Sequence, residues 1–208
     1  MRLVWRTTFT SSLKLTIMER FKTVMLNLVL LLLLQPALAQ VTLKTNAVSV
    51  VVAGTSTLHD WEMKATNGSI AANFELDAAG KPTDLLSLNF VVGPTALKSG
   101  KEAMDNNAYK AMDTKAYNVI KFAATSGTVT AQGNSYIVKC VGMLQIAGKA
   151  VNTEIVATCT VGADGSISFN GKKAIKMTTF GVKPPTFMMG SIKTGDDITI
   201  SFSGVMRK

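Results

Sequence analysis

His59 is the one histidine of the sequence, and it sits in Ser56-Thr57-Leu58-His59-Asp60-Trp61. A serine, a histidine and an aspartate so close together suggest acyl transfer. In that chemistry the imidazole takes the hydroxyl proton and the carboxylate orients the imidazole. The spacing argues against it, because adjacent residues of an extended chain point to opposite faces and Asp60 would not orient His59. There is no Gly-x-Ser-x-Gly turn, phosphate loop or dinucleotide fingerprint. His59 therefore reads either as a strand end bonded to backbone or as a polar group at the rim of a ligand site.

Acid pairs lead no further. Asp196-Asp197 follows a turn signal and reads as capping the last strand, and Glu62 and Glu75 fall on wet faces. General acid–base work needs carboxyls whose surroundings hold their pKa values apart. One His and two Cys cannot complete a zinc site without carboxylates filling in. No catalytic residue, metal or cofactor is expected.

Cys140 and Cys159 lie on either side of Gly148-Lys149. If the chain turns back there, the two fall opposite or nearly opposite, on the face of Leu144 and Ile155. A cross-strand disulfide would close a loop of about 19 residues, worth ~3 kcal/mol in the chain-entropy model. The alternative is two buried thiols packed as small apolar groups.

These residues are carried by strands. Val48, Val50 and Val52, then Ile70, Ala72, Phe74 and Leu76, then Leu86, Leu88, Phe90 and Val92, alternate with mostly polar neighbours. Ile120-Lys121-Phe122, Leu144-Gln145-Ile146, Val151 to Ala157 and Ile198 to Phe202 do the same. Period two means strands with one wet face. Asn67-Gly68, Ala79-Gly80-Lys81-Pro82, Gln132-Gly133-Asn134, Ala147-Gly148-Lys149, Asp164-Gly165 and Thr194-Gly195-Asp196 read as the turns between them. The result is an antiparallel meander of about eight strands, a barrel or a sandwich.

One stretch has a different period. Ser99-Gly100-Lys101-Glu102 reads as a capping box, and Met104, Ala108 and Met112 recur at helical spacing. The pattern predicts one helix, about residues 100–112, either capping an open barrel end or packed outside.

The 208 residues carry 22 Lys+Arg against 13 Asp+Glu, a formal charge of +9, with 47% hydrophobic residues. That suits one folded domain. Arg20 and Lys22 precede an apolar run from Val24 to Leu34, then Gln35-Pro36 and Ala37-Leu38-Ala39. This is the pattern of a secretory signal peptide, and the run is shorter than the ~20 residues a membrane-spanning helix needs. Residues 1–39 are expected to be the signal, with 1–17 as an upstream extension and cleavage after Ala39. Residues 40–208 would be the mature domain, periplasmic or secreted. Residues 1–39 hold five of the basic residues and one of the acids, so the remainder carries +5. Its basic residues are scattered, unlike those of a nucleic-acid binder, and no nucleic-acid partner is expected.

The C-terminal stretch Met177-Thr178-Thr179-Phe180-Gly181-Val182-Lys183-Pro184-Pro185-Thr186, followed by Gly190-Ser191-Ile192-Lys193-Thr194-Gly195-Asp196, resembles the end of YceI-like domains. The hairpin Val141 to Val151, the strand Val119-Ile120-Lys121-Phe122 and the segment Ser56 to Trp61 are similar to further stretches of that family, in the same order. The sequence departs from the pattern in Lys101-Glu102-Ala103-Met104-Asp105, where many members have Arg-x-x-His-Leu, and in Asn118, where many have Pro.

The resemblance covers about residues 41–206. It implies a lipocalin-like, eight-stranded antiparallel barrel that holds a long isoprenoid lipid, a polyprenyl or quinone-like tail, non-covalently inside. The inward set would then be Trp61, Met63, Phe74, Leu86, Leu88, Phe90, Phe122, Leu144, Ile146, Ile155, Phe169, Ile200 and Phe202. His59, Lys101, Tyr109 and Tyr117 would be the polar groups at its mouth. Burial is worth about 0.8 kcal/mol per methylene, so a tail gives affinity and the mouth gives selectivity. The competing readings are an envelope or surface interaction protein with a filled barrel, and an enzyme acting on small apolar substrates. The sequence leaves open a transient membrane contact and a homodimer.

Overall fold

Alternating residues run in long strands through the part of the chain after Ala37. The computed structural model describes residues 18, 20–22 and 39–208. The chain divides into two units, Met1–Ala37 and Leu38–Lys208. The expected signal segment lies outside the described residues, except for 18, 20–22 and Ala39. The second unit holds nine strands and one α-helix. The strands are β1 (Ala39–Ser56), β2 (Trp61–Leu76), β3 (Pro82–Val92), β4 (Ile120–Gln132), β5 (Ser135–Ile146), β6 (Lys149–Val161), β7 (Ile167–Lys176), β8 (Thr186–Phe187) and β9 (Ile192–Met206). The helix α1 (Glu102–Ala111) lies between β3 and β4.

Each strand from β1 to β6 pairs antiparallel with the next, β7 pairs with β9, and β9 returns to β1. Eight strands thus close on themselves into a barrel. The short β8 adds to β9 as a separate ladder. The expected antiparallel barrel with one inserted helix is what forms. One stretch of wall is incomplete: β6 and β7 pair only from Ala157↔Gly171 to Val161↔Ile167. Residues 149–156 and 172–176 therefore form a seam, each side bonded to its other neighbour alone. The turn Met177–Phe180 packs beside it, against β6 and β9.

Two turn signals are not turns. Asn67-Gly68 lies inside β2, where Val48 pairs with Gly68 but Val50 pairs with Ala65. Thr194-Gly195-Asp196 lies inside β9, where Gly54 pairs with Ile198 but Ser56 with Thr194. Both are bulges, which use the same small, flexible residues as hairpin loops. The tip Ala147-Gly148 is a true two-residue turn, with φ of 47° and 79°. Glycine adopts such a backbone freely and alanine does not. Ala147→Gly is therefore expected to stabilise the fold by about 0.5 kcal/mol, measured as a shift of the denaturation midpoint.

A bulge also corrects the inward set. Asn73 pairs with Ser87 and Phe74 with Leu85, which leaves Leu86 unpaired on β2. One extra residue reverses the parity beyond it. Leu85 is fully buried at 0% exposure, and Leu86 drops out of the row it was expected to join.

The two cysteines are not cross-strand partners. Cys140 pairs with Ile155 and Cys159 with Tyr136, four residues out of register. Both are free thiols in the core. Burial pushes the Cys140 thiol up to about 11 and the Cys159 thiol up to about 12. Only the thiolate reacts, so a thiol reagent at pH 8 is expected to label neither residue in the folded protein and both after denaturation. Rapid labelling of the folded protein, or none after denaturation, would contradict this state.

Candidate functional site

The core residues do not fill the barrel evenly. At one end lies a cavity of about 340 Å³. Its wall is built from the ends of strands: Val50 and Val52 of β1, Trp61 and Met63 of β2, Phe90 and Val92 of β3. Ile120 of β4, Leu144 and Ile146 of β5, Ile175 of β7, and Ile198 and Ile200 of β9 continue it. Helix α1 lies across this end and contributes Met104, Ala108 and Ala111, with Met112 just beyond it. The apolar stripe read from the sequence is thus the side facing the barrel, and the helix caps the open end. Met177, Phe180 and Val182 add to the wall beside the seam, and Leu58, Leu97, Pro185, Phe187 and Ile192 also line the cavity.

The lining is almost wholly apolar. Ser56, His59, Lys101, Asn107 and Thr194 are its polar members, and no Asp or Glu is among them. Among the described residues, no group of three or more His, Cys, Asp or Glu could hold a metal ion.

Six of the expected inward residues line the cavity: Trp61, Met63, Phe90, Leu144, Ile146 and Ile200. Phe74, Phe122 and Phe169 are buried in the core but lie beyond it, and Leu88, Ile155 and Phe202 pack half-buried against that core. Leu86 belongs to neither set. At the mouth, His59 and Lys101 are on the lining, whereas Tyr109 and Tyr117 are not. Tyr117 is 44% exposed and packs over the hairpin tip, where a Cβ on Gly148 would strike its ring.

Tyr109 is a tether. Its phenol donates to the carbonyls of Leu97 at 2.6 Å and Thr95 at 3.0 Å. The Lys98 ammonium sits 5.1 Å over its ring. Asp105, one turn earlier, is 6% exposed. Its Oδ1 accepts the Ser99 amide at 2.7 Å and the Ser99 hydroxyl at 2.7 Å. These hydrogen bonds, with the nearby Lys98 charge, hold the carboxyl below the ordinary aspartate range. The expected capping box does not form: Lys101 is the N-cap, without a side-chain cap bond, and Asp105 takes the partner role assigned to Glu102.

The Ser56, His59 and Asp60 cluster is joined through backbone. Ser56 Oγ donates to the His59 carbonyl at 2.7 Å and accepts the His59 amide at 3.1 Å. The His59 Nδ1 lies 2.6 Å from the Asp60 carbonyl oxygen, so the ring is oriented by a peptide group and not by a carboxylate. The cluster shapes the β1–β2 connection at the rim. Trp61 is fixed there too, its indole donating to the Thr55 carbonyl at 3.0 Å.

Asp196 accepts the Thr178 amide at 2.8 Å and the Thr178 hydroxyl at 2.6 Å. These bonds pin the Met177–Phe180 turn to β9 and hold the Asp196 carboxyl below the ordinary range. Lys176 and Asp197 form an ion pair beside it at 2.9 Å. The pair of acids therefore braces a cavity wall, beyond the strand capping expected of it. Of the wall residues, Met177, Phe180 and Val182 lack period-two spacing, and the sequence offered only the motif that contains them.

No protein-family model matches the chain, and no curated protein does. Solved structures do. Burkholderia cenocepacia BcnA superposes with a TM-score of 0.61 at 19% identity, over 77% of this chain and 96% of BcnA. A polyisoprenoid binding domain from Saccharophagus degradans, implicated in plant cell wall breakdown, gives 0.59 at 12% identity, over 82% and 99%. The Campylobacter jejuni YCEI protein gives 0.50 at 20% identity, over 67% and 81%. At these identities the likeness is one of fold.

Proposed function

We propose that this chain, which has the fold of the YceI-like barrels, is an exported lipid-binding protein that takes an isoprenoid or quinone-like tail non-covalently into its barrel. The carrying observation is the apolar cavity of about 340 Å³ under α1. Pockets of this size and lining are typical of small-molecule sites. Lys101 at the rim suits a head group that accepts hydrogen bonds, whereas His59, whose Nδ1 proton goes to the Asp60 carbonyl, offers its Nε2 as an acceptor. The likeness to a polyisoprenoid binding domain supports the choice of ligand class. Residues 1–39 act as the signal peptide in this reading, and the mature protein starts at Gln40. The role needs no catalytic group, and binding and release are its chemistry.

The test is to express the full chain in a bacterial host and purify the exported protein without detergent. Its intact mass gives the processed N-terminus, and mass spectrometry of a solvent extract gives the ligand. A stoichiometric apolar compound with a start at Gln40 is expected. A clean extract, with no uptake of added lipids, would favour a surface interaction protein with an unused cavity.

A further inference from the structure

Two apolar tips stand at the end of the barrel that holds the cavity. Leu58 lies in the connection between β1 and β2, and Met189 lies between β8 and β9. Leu58 is 65% exposed and Met189 wholly exposed, more than any other large apolar residue described in the barrel. Their stems are joined. The Thr57 amide donates to the Lys193 carbonyl at 3.0 Å, and the Lys193 amide donates to the Thr57 hydroxyl at 3.1 Å.

Single exposed apolar residues are ordinary on a protein surface. Place and backbone set these two apart. Leu58 itself lines the cavity, and so do Phe187 and Ile192, the pair at the base of the Met189 tip. Apolar surface therefore runs from the cavity toward both tips. Met189 has a φ of 57°, a left-handed backbone that glycine or asparagine takes more readily than a bulky side chain. The barrel gains no packing from a large thioether held there in water.

The charges around the mouth complete the picture. Lys101, Lys183 and Lys193 are exposed, and none of them has an ion-pair partner among the described residues. The exposed acids nearby are Asp60 and Glu102, since Asp196 is held by Thr178 and Asp197 by Lys176. Apolar tips beside unpaired cations match one kind of surface. An anionic bilayer attracts lysines to its head groups and takes apolar side chains at its acyl boundary.

We propose that the cavity mouth docks on an anionic lipid bilayer, with Leu58 and Met189 inserted at the head-group boundary and Lys101, Lys183 and Lys193 over the anionic head groups. It rests on the lipid-binding reading above only for what passes through the mouth. A tail could then move between bilayer and cavity without crossing open water.

The test is flotation of the exported, detergent-free protein with vesicles of phosphatidylcholine, alone or mixed with phosphatidylglycerol. Binding to the mixed vesicles is expected, weakened by added salt. Leu58→Ser and Met189→Ser should each lower the partition coefficient about tenfold. Lys183→Ala and Lys193→Ala should each lower it about fivefold on mixed vesicles. Val141→Ser and Met143→Ser, at exposed apolar positions of the outer wall, should leave it unchanged. No binding to either vesicle, or binding that the wall variants lower as much as the tip variants, would overturn the docking surface. A dimer in sedimentation that Met189→Ser dissolves would replace the bilayer with a second copy of the chain and overturn it too. A solvent extract of the same preparation keeps the two readings apart. A bound lipid without vesicle binding overturns the docking and leaves the lipid-binding reading standing. Vesicle binding with a clean extract and no lipid uptake supports the docking and overturns that reading.

Discussion

Gly142→Ala is expected to lower the melting temperature by about 10 °C, from a loss of about 3 kcal/mol. An added Cβ would strike the Ala123 carbonyl oxygen and stand 2.9 Å from the Phe122 ring. A flexible side chain could yield, but the carbonyl belongs to the β4 backbone, so two paired strands must part. The control is Gly93→Ala, where φ is −71° and nothing lies within 4 Å of the new Cβ. That change should leave the melting temperature within about 2 °C. If the two variants melt together, the β4–β5 contact at Gly142 is looser than the described geometry.

The second large effect belongs to the helix anchor. Asp105→Ala should cost about 2 kcal/mol at pH 7, because it removes hydrogen bonds to a charged and shielded carboxylate. Asp105→Asn keeps an acceptor and should cost less. The acid limb separates them from wild type. A carboxyl held low in the folded chain gives up its proton more readily there than in the unfolded chain. Its stabilisation is complete above the ordinary aspartate value near 3.9 and is lost as the pH falls through the lowered folded value. Wild type should therefore lose stability in that window, and Asp105→Asn should lose less of it. Denaturation midpoints at stepped pH values check the order. Equal acid limbs would show that Asp105 has no part in the acid response.

The strands were legible because alternation is a local property, and so was the helix, whose stripe of Met104, Ala108 and Met112 faces the cavity. Closure was not, since the β1–β9 pairing joins distant residues whose local pattern suits a sandwich equally well. Asn67-Gly68 misled because a bulge and a hairpin tip draw on the same residues. Leu86 misled because a single bulge passes the inward position from Leu86 to Leu85 while Leu88 and Phe90 keep theirs.

The depth of the site was the hardest feature to read. Alternation shows that Phe122 and Leu144 both point inward, but not that only Leu144 lines the cavity. The overlooked signal was glycine at inward positions: Gly142, Gly171 and Gly204 each mark a ring lying over them. Tyr109 and Tyr117 could not be separated from His59 and Lys101 by residue type, because a phenol tethers a loop as readily as it meets a ligand.

The seam between β6 and β7 has a kinetic meaning. Backbone amides of residues 149–156 and 172–176 that point across it have no partner strand, whereas those of the lower β4–β5 and β5–β6 ladders do. In hydrogen–deuterium exchange the seam amides should trade their protons within seconds to minutes, and the lower ladders only on the timescale of global unfolding. The molecule thus carries two clocks. The fast one runs in the wall beside the cavity, where β6 and β7 part.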